Sequence, residues 1–433
     1  MLHKLRFHWH KVINFLITVC VTLMIIGYTL PAKADVIYQA FNMPFQEVRN
    51  QLSELKADGF TYIQVSPPEQ SNPSDQWWGR YQPIDFTVLE SPLGNENDLR
   101  DLIAATHETG MKVLVDVVLN HMADYPPYVD TLNYPHFSAQ DFHPRASINY
   151  SNCNEVTEGW LGDPPSLPDL NTGSPYVREQ LQNYLSHLLE LGADGFRIDA
   201  IKHVSVNDME QILRVVPEDK YIYGEVVGAD CNENSTYTAI HNVDLTDYGL
   251  LQNLKGAFGL GGDLRSLTNN PGSLPGYNAV TFSKTHDTVP GGDLEGGFGF
   301  DPRDQMLANA FLLARQDGLP LIYRDDASDP IVQAGANFHE QLVNEPQYFR
   351  NGDEITNGAN SPNLLFVERG DQGIAIINKA GEPFAPSSLR MPGLGEGCYQ
   401  ELISNSTMCV NSDRSVQNGL NVPGRSVAFF VKQ

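Results

Sequence analysis

The chain has 433 residues, with 28 Lys and Arg against 53 Asp and Glu, a formal net charge of −25 at pH 7. A surplus of that sign repels nucleic acid and suits neutral or cationic partners, without bearing on fold. The length exceeds what one hydrophobic core usually organises, so a large domain with one or two smaller ones is expected.

The first eleven residues, MLHKLRFHWHK, are basic, and the next nineteen, VINFLITVCVTLMIIGYTL, carry no charge. The run ends in Pro31-Ala32-Lys33-Ala34, the small-x-small spacing read by signal peptidase, so residues 1–34 are expected to be a cleaved signal for secretion or the periplasm. At ~1.5 Å per residue, nineteen residues nearly span a bilayer, so an uncleaved anchor is the alternative, and only then is a membrane a partner. Cleavage removes four Lys and Arg, leaving 24 against 53 acids, a net of −29. Both fates put the rest where disulfides persist. Cys153, Cys231, Cys398 and Cys409 allow three pairings, of which Cys398–Cys409 with Cys153–Cys231 is the one expected.

Short β-branched runs then alternate with amphipathic segments. The runs are VIYQAF (36–41), YIQVSP (62–67), KVLVDVVLNH (112–121), GFRIDAI (195–201), YIYGEVV (221–227), NVDLTDY (242–248), AVTFSKTHD (279–287) and GLPLIYRD (318–325). Segments such as 96–110 and 176–192 between them have helical apolar spacing. Eight βα units predict an α/β fold, a (β/α)8 TIM barrel over 35–121 and 175–351. Residues 122–174, rich in Pro, Asn, Asp, Tyr and His, read as a loop domain inserted after strand 3. Beyond 352, alternating strands parted by Gly, Pro and Asn predict a C-terminal antiparallel β domain over 352–433.

Polar residues collect at the C-terminal ends of the predicted barrel strands: Asp116 and Asn120-His121 on the third, Arg197, Asp199 and Lys202-His203 on the fourth, Glu225 on the fifth, His286-Asp287 on the seventh. One Asp at a strand end is commonly a helix cap or a loop ion pair. Three carboxylates on three strands, with Arg and two His, are hard to explain as caps, because each buried acid needs a partner to stay charged. Glycoside cleavage needs such a set: one carboxylic acid to protonate the leaving oxygen, and one carboxylate to attack or stabilise the anomeric centre.

DVVLNH (116–121), GFRIDAIKH (195–203), GEVV (224–227) and FSKTHD (282–287) together resemble the four ordered segments of glycoside hydrolase family 13, the α-amylase family. WWGRYQPIDF (77–86), LGNENDLRDLI (93–103) and the stretch from YFRNGDEI to INKAG make the likeness closest to animal-type members. The resemblance implies endohydrolysis of α-1,4 bonds in starch-like glucans with retention, by a monomer. Asp199 would be the nucleophile, Glu225 the proton donor and then base, Asp287 the transition-state stabiliser. Arg197 would bind at the site and lower the pKa of Asp199, His121 and His286 would hold sugar hydroxyls, and Tyr81 would stack beneath the ring. Trp77 and Trp78 offer further platforms, whose ordinary reading is core packing; Lys202 and His203 would meet the leaving side. Calcium would take oxygen from Asn120, Asp169 and the His203 carbonyl, against a reading of Asp169 as a turn or cap residue. Chloride would lie between Arg197 and Arg324, with Thr285 where the family has asparagine.

Two other readings share these residues: a silent, membrane-anchored scaffold or glucan-binding protein, and a family 13 transglycosylase or oligosaccharide hydrolase. Relatives that lose activity generally lose members of the carboxylate trio, whereas all three stand here.

Overall fold

A computed structural model describes residues 35–228, 237–240, 243–269, 271–356, 358, 361–417 and 420–433. The eight apolar runs form the strands β1 (Ile37–Ala40), β2 (Tyr62–Val65), β3 (Lys112–Val118), β4 (Gly195–Asp199), β5 (Tyr221–Gly224), β6 (Asp244–Thr246), β7 (Ala279–Thr281) and β8 (Leu319–Tyr323). They close into a barrel in which every strand pairs with its sequence neighbours and β8 returns to β1. All the pairings are parallel. Such strands are covered on both faces, by the barrel interior and by helices, which is why nearly all their residues are buried and most are apolar.

The outer layer holds α1 (Phe45–Ala57), α2 (Glu96–Glu108), α3 (Pro175–Leu191), α4 (Val206–Leu213), α5 (Tyr248–Phe258), α6 (Pro302–Ala314) and α7 (Pro330–Gln341). Helix α2 starts on a capping box, the Asn95 side chain accepting from the Asn97 and Asp98 amides while Asp98 accepts from the Asn95 amide. It buries Leu99, Leu102, Ile103 and Thr106, one stripe at helical spacing. Helix α3 has Pro175 in its first turn, where no donor is lost, and ends at Gly192 in the left-handed region.

The stretch 122–174 holds short helices, Tyr128–Thr131 and Cys153–Glu158, around buried Tyr134, Phe137, Phe142 and Trp160. Its return leg is stitched to the end of β3: the Met122 amide donates to Pro168 O at 3.0 Å and the Leu170 amide to Asn120 O at 2.9 Å. Those bonds bring Asn120 and Asp169, 49 positions apart, to one seam.

The C-terminal sheet comprises β9 (Gln347–Asn351), β10 (Leu364–Arg369), β11 (Gly373–Asn378), β12 (Gly397–Glu401), β13 (Thr407–Val410), β14 (Val416–Gln417) and β15 (Ser426–Lys432), ordered β9-β10-β11-β15-β12-β13-β14 and antiparallel throughout. It begins at Gln347, ahead of the expected 352. Strand β9 is a half-exposed edge strand, QYFRN, with no apolar alternation to announce it. A disulfide joins Cys398 to Cys409, directly opposite each other on β12 and β13. The pairing of Cys153 with Cys231 falls on a residue outside the described ones, as do residues 1–34. Among the described residues no helix is long and apolar enough to cross a membrane. The sheet is fixed to the barrel through buried Arg369, which donates to the carbonyls of Glu345, Ala314 and Arg315, and through Lys379, which donates to Ala257 O at the end of α5.

Candidate active site

The site is organised around the guanidinium of Arg197. Parallel register sets Arg197 on β4 directly beside Asp116 on β3, and Asp199 follows two residues on, on the same strand face. One terminal nitrogen of Arg197 donates to Asp116 at 2.8 Å and to Asp199 at 2.7 Å, and the other lies 3.0 Å from Glu225. Glu225 arrives from β5, its amide donating to Ile198 O at 3.0 Å. Gly224 permits that approach, since a Cβ there would meet the Ile201 side chain at 2.6 Å. After Asp199 the chain turns through Ala200 in the left-handed region (φ 45°), a conformation a non-glycine residue adopts at a cost of order 1–3 kcal/mol. The turn aims the Ala200 amide at the same Oε2 of Glu225 that Arg197 contacts, 3.2 Å away.

Three acids thus share one cation in a buried place, with Asp287 within electrostatic reach of it. Burial pushes Asp199 up to about 7 and Asp116 up to about 6, Arg197 pulling both back only in part, with the Glu225 charge adding to the rise. Burial, then the Glu225 charge, also raises Asp287. Arg197 does lower Asp199, as expected, yet the net direction is upward, because burial first and then the neighbouring carboxylates outweigh the guanidinium. Arg197 is also not a wall residue of the cleft. Its side chain is 4% exposed, and it positions the acids from beneath.

Above them opens a cleft of about 600 Å³. Asp199, Glu225 and Asp287 line its floor, with His121, His286 and Tyr81 beside them. Trp77, Trp78, Lys202 and His203 are also on its walls. Tyr81 lies parallel to His286, ring centroids 5.1 Å apart, with its hydroxyl donating to Asp116 at 3.0 Å. Trp78 presents an exposed face, and the indole of Trp77 donates to Gly291 O at 3.3 Å. Lys202 donates to Val227 O at 2.6 Å and sits over the Tyr150 ring. Burial keeps His121 and His286 neutral, His121 down to about 4, so each ring can both donate and accept.

Several participants were not foreseen. Gln39 on β1 meets His286 at 3.1 Å, Gln64 on β2 faces Asp116, and the Tyr248 hydroxyl reaches Glu225 at 3.3 Å. The glutamines had a signal, being polar residues in otherwise apolar strands. Tyr150, Leu161 and Leu167 from the insert and Asp293 and Leu294 from a glycine-rich loop complete the cleft, and no spacing in the sequence announces them.

Asn120 and Asp169 sit outside the cleft, at the seam between barrel and insert. Asp169 is 1% exposed; one carboxylate oxygen meets His143 at 2.6 Å and the other has no hydrogen-bond partner. Burial pushes this acid up to about 7. A buried carboxylate with an orphaned oxygen, beside an asparagine, fits a hard cation. His203 stands at the same seam, its ring on Val156 O at 2.8 Å. The residues do not fit chloride: Arg324 donates to Phe41 O at 3.0 Å and pairs with Asp325 at 3.3 Å, while the Thr285 hydroxyl takes the Asp287 amide at 3.3 Å. An added anion would also join four acids around one arginine.

Comparison with known proteins agrees with this geometry. The family model for the α-amylase catalytic domain matches residues 45–249. An α-amylase of Aeromonas hydrophila is 34% identical over 414 residues, covering 80% of this chain and 85% of that protein. One from the beetle Tenebrio molitor is 29% identical over 411 residues, covering 81% and 84%. Among solved structures, α-amylase I of Eisenia fetida shares the fold with a TM-score of 0.80 at 23% identity, over 92% of this chain and 97% of that one. Sequence and barrel together place the chain in the α-amylase family, as a glycoside hydrolase with an animal-type affinity.

Proposed function

We propose that the chain cleaves internal α-1,4 bonds of starch-type glucans by double displacement, with Asp199 as nucleophile and Glu225 as acid and base. The carrying observation is that both carboxyls sit on the two terminal nitrogens of one buried guanidinium, at the floor of the cleft. That placement supports the short separation that retention uses, about 5–5.5 Å, over the wider gap that leaves room for a water. Asp199 attacks the anomeric carbon as Glu225 gives its proton to the departing oxygen; Glu225 then takes a proton from water, whose oxygen displaces Asp199. Asp287, His286 and His121 hold hydroxyls of the reacting ring, whose flat face meets Tyr81.

End-blocked soluble starch tests this reading. The wild-type chain is expected to shorten the polymer quickly with release of reducing ends, while Glu225→Gln leaves it intact. Cleavage by both proteins would remove Glu225 from its role.

Asn120, Asp169 and the His203 carbonyl would hold calcium, which supplies positive charge to the buried seam and ties insert to barrel. Binding only to the folded state stabilises it. Chelation is expected to lower the melting temperature by several degrees, and Asp169→Asn to abolish most of that response; an unchanged melt with no calcium by elemental analysis would overturn the site. The Cys398–Cys409 disulfide supports a destination outside the cytoplasm, as the N-terminal segment suggests.

A further inference from the structure

The two oxygens of the Glu225 carboxyl stand in different surroundings. Oε2 lies 3.0 Å from the Arg197 guanidinium and accepts from the Ala200 amide at 3.2 Å. An oxygen that faces a cation and an N–H donor is the one that stays bare, so the proton of an acidic Glu225 belongs on Oε1. Among the described residues one group reaches Oε1, the Tyr248 hydroxyl at 3.3 Å. Catalytic hydrogen bonds are commonly this long before substrate binds and tighten in the transition state.

Tyr248 opens α5, and its place is fixed from several sides. Just before it the buried Asp247 carboxylate accepts from the Leu250 amide at 2.8 Å, from the Ser273 amide and hydroxyl and from the Leu274 amide, which anchors the helix start. The Tyr248 ring packs edge-on against Phe282, centroids 5.1 Å apart. Strand β6, which leads into Tyr248, is tied to the segment of Glu225 where the Val226 amide donates to the Thr246 hydroxyl at 3.1 Å. Tyr248 is 5% exposed and meets Glu225 from behind the cleft floor. Burial first, and then the Glu225 charge, hold its phenol well above the usual range, so it keeps its proton and serves as a donor. A phenylalanine would pack on Phe282 equally well; the hydroxyl is what Glu225 uses.

We infer that Tyr248 is a positioning residue for the acid step, donating to Oε1 of Glu225 and stabilising the negative charge that forms there as the proton leaves. This rests on the acid and base role given to Glu225 above. In that step the Oε1–H bond breaks and its proton goes to the glycosidic oxygen, which also takes the electron pair of its breaking bond to the anomeric carbon; Asp199 supplies the pair for the new bond. Oε1 thus begins neutral and ends charged. A hydrogen bond to a charged oxygen is about twice as strong as one to a neutral oxygen. The Tyr248 contact therefore strengthens along the reaction and lowers the barrier. Its benefit is confined to leaving groups that need a proton, because in the second step Glu225 starts as a carboxylate and loses nothing as a base when the donor is absent.

Tyr248→Phe in the full chain tests this on two substrates. With a maltooligosaccharide, whose leaving group is a sugar, kcat/KM should fall about tenfold to a hundredfold, the range for one hydrogen bond to a charged group. With α-maltosyl fluoride, whose fluoride departs without a proton, the rate should match wild type, which also shows that the site is assembled. Equal losses on both substrates would overturn the inference and leave the tyrosine a packing role; no loss on either would overturn it as well. Glu225→Gln on the same oligosaccharide separates this from the reading beneath it. Cleavage retained by that variant would remove Glu225 from the acid step, whereas its inactivity beside an unaffected Tyr248→Phe would overturn the Tyr248 role alone.

Discussion

Asp199→Asn is expected to reduce hydrolysis of soluble starch by about 10⁴-fold or more. The amide keeps the size of the side chain, so a folding defect does not explain the loss; what disappears is the oxygen that bonds to the anomeric carbon. Glu225→Gln should be as damaging on starch and differ in kind. With a glucosyl fluoride, whose leaving group needs no proton, the Glu225 variant should still form the covalent sugar–enzyme and then stall, because nothing activates the water. Intact-protein mass spectrometry will show a sugar adduct that maps to Asp199. The Asp199 variant should form none. An adduct on another residue, or on the Asp199 variant, would reassign the nucleophile.

Arg197→Met should abolish activity and also weaken the fold, by about 3–5 kcal/mol, the cost of leaving buried charge uncompensated. The guanidinium contacts Asp116, Asp199 and Glu225 in a place where it is 4% exposed, and no second cation contacts those three acids among the described residues. The loss should depend on pH with a definite sign. Asp199 sits at about 7 and Asp116 at about 6 in the fold, above the ordinary value of 3.8. Between the unfolded and folded values the folded state holds more protons, so stability falls as pH rises through that window and the penalty is complete above it. Without Arg197 both acids should move higher still, widening the window. Urea unfolding should therefore show the variant closest to wild type near pH 5 and furthest from it near pH 8. A difference independent of pH would mean that lost packing, rather than unpaired charge, is the cause.

The sequence alone reached the architecture and the reacting acids for one physical reason: both are written locally. Buried parallel strands favour short β-branched runs, so seven stand out against their helices and the sixth, near NVDLTDY, only weakly, and a barrel builds its site at the strand ends, where Asp199, Glu225 and Asp287 are found. Arg197 was legible as a partner of Asp199 because residues two apart on a strand share a face. The edge strand Gln347–Asn351 was not legible, since exposure relaxes the pattern that betrays a buried strand.

Contacts between distant segments were decided only by the tertiary structure. The sequence paired Arg197 with one acid, while barrel closure gave it three and buried them, and that burial, with the Glu225 and Asp116 charges, is why Asp199 is raised where a lone ion pair would lower it. Arg324 could be matched by position to an anion site, yet it turns to Phe41 and Asp325. The cleft walls from Tyr150, Leu161 and Asp293 depend on how loops fold across the barrel mouth. Strand periodicity reports what each residue needs from its own neighbourhood. Charge sharing and cavity shape belong to elements that meet from far apart in the chain, and those appear only once the barrel has closed.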